Sequence, residues 1–200
     1  MKQGKMLSIL FDMLYDMPML LANKSEWNCL NINDEVPNVE RIWRQVGEIR
    51  VSLHKIYPCK KQPLFHSHPW PSSMAILKGG YETAIGYGKN NPPIIYKGFF
   101  TNGTVYEMPD QYTWHYVMPL DEPCYTVMVT GVPWDTSPSN RNLLPLNQDI
   151  FDSLYSFFEQ FFVESCTSYL DLLSKRRLYK TLWDAQVGGF LGDEKTEDEV

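Results

Sequence analysis

Apolar residues recur at helical spacing near both ends of the chain. Close to the N-terminus, the positions that share one helix face are Leu7, Leu10, Phe11, Leu14 and Tyr15. Asp12 and Asp16 fall on another face, so the pattern predicts an amphipathic helix that Pro18 should end or kink. Near the C-terminus an aromatic stripe follows Asp149, a suitable cap, and predicts a second helix over residues 150–183. We interpret this stripe as a packing surface that covers an outer sheet face or a partner subunit.

Between the two helical regions, short runs rich in β-branched and aromatic residues alternate with turn formers. The runs are GEIRVSLHKIY, PLFHSH, MAILKGGYETAIGYG, PIIYKGFF, TVYEMP, WHYVMP and CYTVMVTG. The clusters between them, KNNPP, TNG, PDQ and LDEP, are too short for the helical crossovers that parallel strands require. The pattern therefore predicts a mainly β fold with an antiparallel core.

These changes of pattern divide the chain into five segments. They are an N-terminal helical extension (1–45), a β-barrel (46–133), a connecting loop (134–149), a C-terminal helix (150–183) and an acidic tail (184–200). The connecting segment is rich in proline, serine and asparagine, which is typical of a surface connection. The tail ends in DEKTEDEV, and we expect it to be solvated and frayed.

Composition narrows the function classes. The chain of 200 residues is 44% hydrophobic with a net charge of -6, which suits one folded, soluble domain and offers nucleic-acid phosphates no basic surface. Asp12 and Asp16 interrupt the N-terminal apolar run, so we expect no membrane association, no secretion signal and a cytoplasmic location. The cysteines form no CxxC pair and are interpreted as free thiols. The apolar terminal helices favour a homodimer, and the expected partner is a small-molecule substrate.

Two histidines one residue apart, His66 and His68, are the first candidates for chemistry. Residues i and i+2 of a strand point to the same face, and Pro69 holds His68 in extended conformation. Two imidazoles are half of a catalytic metal site, which commonly takes three protein ligands. His115, in a later strand-like run, is the best candidate for the third. The alternative is a chance HxH pair on a solvent-facing strand, and the barrel-like context of GYETAIG favours the metal.

The histidine pair resembles the first motif of the cupin family. That motif is a histidine, any residue, a histidine, three or four residues, a glutamate, six residues and a glycine. The corresponding positions here are His66, His68, Ser72 or Ser73 in place of the glutamate, and Gly79 or Gly80. The chain therefore departs from the motif at its carboxylate ligand.

A second cupin motif is similar to the stretch that begins at Gly103 and Pro109. His115 is displaced by one residue from the motif's histidine, and Gln111 stands at its glycine position. The stretch from Arg50 to Pro133 also resembles uncharacterised bacterial and phage cupins with an H-x-HPW motif. It contains His54, HSHPW, GGY, WH and TGVP in the same order. The resemblance implies a cupin jelly-roll barrel and does not extend to the terminal helices.

The missing glutamate changes the implied chemistry. Three neutral imidazoles leave a divalent metal with its full double charge, which favours anionic substrates as ligands. Cysteine dioxygenase-like cupins use such a three-histidine iron site, so the resemblance implies that His66, His68 and His115 hold Fe(II). Zn, Ni or Mn are alternatives. The implied function is a non-haem iron dioxygenase acting on a small anionic thiol, diketone or catechol. A non-oxidative isomerase or lyase, or a ligand-binding cupin without turnover, are the other hypotheses.

Three further residues are candidates for catalytic roles. Arg50, Ser52 and His54 share one strand face by parity. If this face is the inner one, Arg50 could pair with a substrate carboxylate and His54 could handle a proton or support a ligand. If Ile49, Val51 and Leu53 fill the barrel instead, Arg50 faces outward; alternation alone allows both assignments, and we favour the outward one for Arg50. Tyr106 is assigned to the mouth of the pocket together with Trp70 and Trp114, although such aromatic residues are usually packing.

Overall fold

The structure, a computed structural model, describes residues 4–32, 37–134 and 143–164. The helices are α1 (Lys5–Leu21) and α2 (Gln148–Glu164). The strands are β1 (Asn28–Ile32), β2 (Val39–Val46), β3 (Ile49–Ile56), β4 (His66–Ser67), β5 (Ser72–Lys78), β6 (Gly80–Tyr87), β7 (Ile94–Thr101), β8 (Val105–Met108), β9 (Thr113–Met118), β10 (Cys124–Thr130) and β11 (Leu143–Leu144). Each predicted run carries a strand, and the longest contains two.

Strands β3 to β10 pair like one long hairpin that has been rolled up. β3 pairs with β10, β4 with β9, β5 with β8 and β6 with β7, all antiparallel. Rolling adds the pairs β5·β10 and β6·β9. The strand orders become β3-β10-β5-β8 in one sheet and β4-β9-β6-β7 in the other, which is jelly-roll topology. The predicted mainly β, jelly-roll fold is thereby confirmed.

The first sheet extends beyond β3 through β2, β1 and β11, giving seven strands against four in the second sheet. In the described part of the chain the two sheets share no strand pairing, so the predicted barrel is an open sandwich. β1 and nearly all of β2 lie in the segment 1–45, whose described residues are helical over α1 and over one 3₁₀ turn at Lys24–Glu26. Hydrophobic alternation is weak in β2, because its buried positions include the charged Glu40, whose carboxylate accepts a hydrogen bond from Tyr57 at 2.8 Å.

Both helices cover the outer face of the larger sheet. α1 contacts β5, β8 and β10 through the buried residues Met6, Leu10, Leu14, Met17 and Leu21. It continues past Pro18 to Leu21, and the Glu107 carboxylate accepts hydrogen bonds from the N–H groups of Gly4 and Leu7 at its N-terminus. Phe157 of α2 stacks on Tyr125 of β10 with ring centroids 4.0 Å apart. Both faces of the central strands are therefore buried.

The chain divides into two compact units, Met1–Gln160 and Phe161–Val200, and the jelly roll lies in the first. Of the second unit, the structure describes the last turn of α2. The predicted helix beyond residue 164, the acidic tail and half of the connecting loop (135–142) lie outside the described residues. Neither of the described helices has the length and apolarity needed to cross a membrane.

Candidate metal centre

His66 and His115 are brought together by strand register. They are direct cross-strand partners in the antiparallel pair β4·β9. His68 follows two residues after His66 and completes the group. The ring centroids are 5.5 Å apart for His66 and His68, 5.0 Å for His66 and His115, and 4.8 Å for His68 and His115. Three residues predicted from sequence to meet therefore form one cluster.

The separations of the ring nitrogens suit a metal ion. Metal–nitrogen bonds of about 2.0 to 2.1 Å place neighbouring ligand nitrogens about 2.8 to 3.4 Å apart in octahedral or tetrahedral geometry. The Nε2 atoms of His68 and His115 are 3.1 Å apart. One potential ligand atom from each of the three histidines lies within 4.8 Å of the others. Two bonds of this length reach about 4.2 Å, so ligand atoms as much as 4.8 Å apart must move closer together to share one ion.

Hydrogen bonds at the Nδ1 atoms fix the orientation of two of the imidazole rings. His66 Nδ1 lies 2.9 Å from the Leu64 carbonyl oxygen, which only accepts, so Nδ1 carries the proton and Nε2 keeps its lone pair. His68 Nδ1 lies 2.8 Å from the Ser72 hydroxyl oxygen. Ser72 thus occupies the expected glutamate position but supports a ligand from behind, whereas Ser73 donates to the Tyr106 carbonyl oxygen at 2.9 Å.

The hydrogen bonds at Nδ1 also determine which ring nitrogens keep a lone pair that can bind a cation. When Ser72 accepts the Nδ1 proton of His68, the Nε2 lone pair of His68 faces His115 at 3.1 Å. When the proton of His115 is on Nδ1, its Nε2 presents a second lone pair and the two nitrogens can share a metal ion; when the proton is on Nε2, His115 donates to His68 instead. His115 is 3% exposed and His68 is 9% exposed, whereas His66 is half-buried. The donor set fits a divalent metal that solvent reaches from the His66 side.

A cavity of about 270 Å³ adjoins the three histidines and is lined by residues of both sheets. Its described walls are largely apolar and include Leu30, Ile32, Ile56, Met74, Val117 and Met128. The larger sheet adds three basic side chains, Arg41, Arg50 and His54, and none of the described lining residues is acidic. The volume lies just below the usual range of ligand pockets and suits a small molecule.

In the structure, the face of β3 that carries Arg50 and His54 points into the cavity. Both residues line the cavity, while Val51 and Leu53 are buried on the opposite face of β3. The outward orientation favoured for Arg50 is therefore corrected. Alternation could not decide this, because both faces of β3 are buried. The Arg50 guanidinium lies 4.6 Å from the Trp43 ring.

His54 is held between two neighbours. Its Nε2 accepts a hydrogen bond from Arg41 Nε at 2.8 Å, so the ring proton is on Nδ1, which lies 3.1 Å from the Thr126 hydroxyl. Burial, together with the charge of Arg41, holds the pKa of His54 well below its usual value of 6.5. His54 is therefore neutral near pH 7, and protein groups engage both of its ring nitrogens.

Tyr106 packs beside the cluster and is not among the residues that line the cavity. Its ring centroid is 6.4 Å from that of His115, and its hydroxyl oxygen lies 2.7 Å from the hydroxyl oxygen of Tyr81. Burial raises the pKa of Tyr106. Trp70 lines the cavity, whereas Trp114 donates to the Gly88 carbonyl oxygen at 3.0 Å and stacks near Phe65. The catalytic role assigned to Tyr106 stays a prediction.

Arg41 was not anticipated from sequence, because β2 lies in the segment interpreted as a helical extension. The available signal was parity across a hairpin. Arg41 is the direct cross-strand partner of His54 in β2·β3, and the intervening turn includes Gly47 with φ 59°. Recognising that turn would have placed Arg41 and His54 on one face.

No protein-family model matches this chain, and no curated protein matches it. Among solved structures, it is similar to hydroxypropylphosphonic acid epoxidase from S. wedmorenis at 12% identity and a TM-score of 0.43, covering 54% of this chain and 56% of that chain. It is similar to CapF bound to 3-isopropenyl-tropolone at 16% identity and a TM-score of 0.41, covering 58% and 34% of the two chains. It is also similar to the conserved SPY1581 protein of unknown function from Streptococcus pyogenes, at 14% identity and a TM-score of 0.36, covering 52% of this chain and 80% of that chain. The matched region thus spans little over half of the epoxidase chain. These are likenesses of fold alone.

Proposed function

We propose that this chain is a metal-binding cupin that uses Fe(II) and dioxygen to oxidise a small anionic molecule. The observation that carries the proposal is the convergence of His66, His68 and His115, with two Nε2 atoms 3.1 Å apart. Zn, Ni and Mn also bind imidazole, and Fe(II) is preferred because of the resemblance to cysteine dioxygenase-like cupins. Bound iron would supply the electron that dioxygen needs and a coordination point for the substrate.

The chain's own residues prepare this chemistry in three ways. The Leu64 carbonyl and the Ser72 hydroxyl hold the His66 and His68 rings so that their Nε2 lone pairs face one point. Three neutral ligands leave the metal's charge uncancelled, which attracts an anionic substrate. The largely apolar walls lower the local polarity, and this strengthens electrostatic contacts inside the cavity. We expect thiols, diketones and catechols of small size to be the first substrates to test.

Metal binding is tested by anaerobic titration of chelator-treated protein with Fe(II), followed by measurement of the bound iron. We expect one ion per chain and a loss of binding in His115→Ala. The matched control is His54→Gln, a change of a buried histidine outside the cluster, which should keep the same stoichiometry. Circular dichroism and thermal melts establish that both variants are folded. Equal iron binding by wild type and by folded His115→Ala would refute the metal site.

Oxygen consumption then separates the functional hypotheses. Iron-loaded protein should consume oxygen with at least one member of a panel of small thiols, diketones and catechols. Iron binding without oxygen uptake across the panel would instead favour a non-oxidative isomerase or lyase. A folded protein that binds none of the four metals would leave a ligand-binding cupin without turnover.

A further inference from the structure

The edge strand β7 differs from the other sheet edges in length and exposure. It has eight residues, and within the described parts of the chain β6 is its pairing partner on one side and nothing pairs on the other. The other three edges are β4, β8 and β11, with two, four and two residues, and α1 contacts β8. Short or covered edges prevent pairing with another chain, whereas a long exposed edge presents a row of backbone donors and acceptors. β7 is therefore the edge at which a strand can be added.

The side chains of β7 are apolar to an unusual degree for an exposed edge. Four large ones are exposed by 47%, 68%, 46% and 53%, namely Ile94, Ile95, Tyr96 and Phe99. Edge strands are commonly protected by charges, above all by lysine. The single charged residue of β7, Lys97, forms a salt bridge of 3.0 Å with Glu82 of its own sheet. Its charge is thus partly balanced within the chain and does little to repel a second strand.

We propose that β7 pairs with β7 of a second copy of this chain and that the two copies form an antiparallel dimer. A two-fold axis perpendicular to the sheet relates the two strands, so each copy uses the same surface and the assembly closes at two copies. The two four-stranded sheets would join into one continuous sheet. The proposal goes beyond the metal centre and holds whether or not the three histidines bind a metal.

The terminal helices favoured a homodimer from their sequence, but their apolar faces are used inside the chain. Leu10 and Leu14 of α1 are buried, and so are Leu154 and Phe158 of α2. The apolar surface that remains for a second copy is therefore larger along β7 than the helical pattern indicates.

Two-fold symmetry restricts the possible registers. Facing residues of an antiparallel pair share a sheet face, so the axis must pass beside a residue that faces its own copy. An axis at Lys97 brings two lysines face to face, which is destabilising. An axis at Gly98 places Tyr96 opposite Phe100 on one face. It places Lys97 opposite Phe99 on the other face. Axes further from the middle of the strand pair fewer residues, so we assign the axis to Gly98.

The contacts of this register are complementary. Tyr96 packs near Phe100 of its own strand with ring centroids 6.1 Å apart, so the same two rings of the second copy would extend an aromatic cluster. On the other face, the Lys97 ammonium would approach the ring of Phe99, which is a cation–π contact. Symmetry repeats both contacts. Gly98 brings no side chain to the axis, and a Cβ there would overlap the Tyr96 hydroxyl.

The size of the contact determines the expected strength. A strand of eight residues is about 27 Å long, so the contact is smaller than the standard interface of about 800 Å² per partner. We therefore expect a dimer that dissociates in the micromolar range.

Sedimentation velocity of the full chain tests the dimer. Chelator-treated protein in reducing buffer is measured from about 1 µM to about 200 µM, and wild type should shift from monomer to dimer over this range. Hydrogen exchange at both ends of the range then locates the interface. The β7 amides should gain protection at high concentration, whereas the α1 amides should not change.

Two substitutions at Phe99 test the register. Phe99→Lys places a lysine opposite Lys97 of the second copy at two symmetric positions, and it should weaken dimerisation at least about tenfold. Phe99→Glu also replaces the ring with a charge but attracts Lys97, so it should dimerise more tightly than Phe99→Lys, by a margin that shrinks at high salt. Within one chain the order is reversed, because Glu82 faces position 99 and attracts lysine. A difference caused by folding alone would therefore have the opposite sign in thermal melts.

The control is Met19→Lys, which changes an apolar residue of α1 that is 70% exposed and should leave dimerisation as in wild type. A wild type that stays monomeric over the whole range would overturn the proposal. So would a dimer that Met19→Lys dissociates and Phe99→Lys does not, because the interface would then be helical. Full protection of the β7 amides in the monomer would show that another segment of the same chain covers the edge, and this outcome also excludes the dimer.

Discussion

Replacing His54 with glutamine should change how the stability of the protein depends on pH. In the folded protein His54 stays neutral, because burial and the neighbouring Arg41 hold its pKa well below 6.5. In the unfolded chain it titrates with a pKa of about 6.5. Below this pH the unfolded state binds a proton that the folded state does not, so the wild type loses stability as pH falls. Glutamine does not titrate and lacks this contribution.

The size of the effect follows from proton linkage. Integrated from pH 7.5 to pH 5.5, one histidine that stays neutral when folded and has an unfolded pKa of about 6.5 lowers the unfolding free energy by about 1.4 kcal/mol. Other groups titrate in this range too, but their contributions are shared by wild type and His54→Gln and cancel in the difference. The wild type should therefore lose about 1.4 kcal/mol more than the variant.

Urea denaturation of chelator-treated protein at the two pH values provides the measurement. The variant's own stability at pH 7.5 does not matter, because only the change between the two pH values is compared. Parallel losses in wild type and His54→Gln would show that His54 titrates in the folded state as it does in the unfolded chain. The lowered pKa of His54 in the folded protein would then be wrong.

Two further predictions concern the scaffold, each with a matched control measured by the same denaturation assay. Glu107→Ala removes the carboxylate that accepts a hydrogen bond from the N–H of Gly4 at 2.6 Å at the start of α1, and it should lower the free energy of unfolding by about 1 to 2 kcal/mol. The control, Glu48→Ala at an exposed position, should change it by no more than about 0.5 kcal/mol. Equal losses in the two variants would contradict the capping role of Glu107. Gly79→Ala and Gly103→Ala both place alanine at positive φ, 77° and 82°, but of the two only Gly79 would bring the new Cβ to 2.8 Å from a backbone oxygen. Gly79→Ala should therefore lower the free energy of unfolding by at least about 1 kcal/mol more than Gly103→Ala. Equal losses in the two variants would contradict this close contact.

The strands of the jelly roll could be predicted because their signals are local. Runs of β-branched and aromatic residues end at turn formers, and each such run carries a strand. The first sheet could not be delimited in the same way. β2 buries Glu40, which is 7% exposed and hydrogen-bonded to Tyr57, and a charged residue at a buried position breaks the alternation by which strands are recognised.

The candidate site was predictable in its ligands and not in its surroundings. HxH spacing places His66 and His68 on one face of any extended segment, and His115 followed from the need for a third ligand. The environment of His54 depends on two facts that no local pattern contains, namely that the outer face of β3 is buried and that Arg41 lies beside His54 in β2. Long-range register, not residue type, gives His54 its role.

Register in this fold has a simple origin, which explains why residues so distant in sequence converge. In all four pairs of the rolled hairpin, the two partner residue numbers add to 180 or 181. The midpoint falls at Asn90 and Asn91, which both have positive φ, of 54° and 58°, as a reversing turn requires. His66 and His115 pair because they lie equally far from this turn, and the same rule pairs His54 with Thr126 in the other sheet. Once the central turn is located, the pairing of His115 with His66 therefore follows from their equal distance from the turn. The position of Arg41 beside His54 follows in the same way from the β2·β3 hairpin.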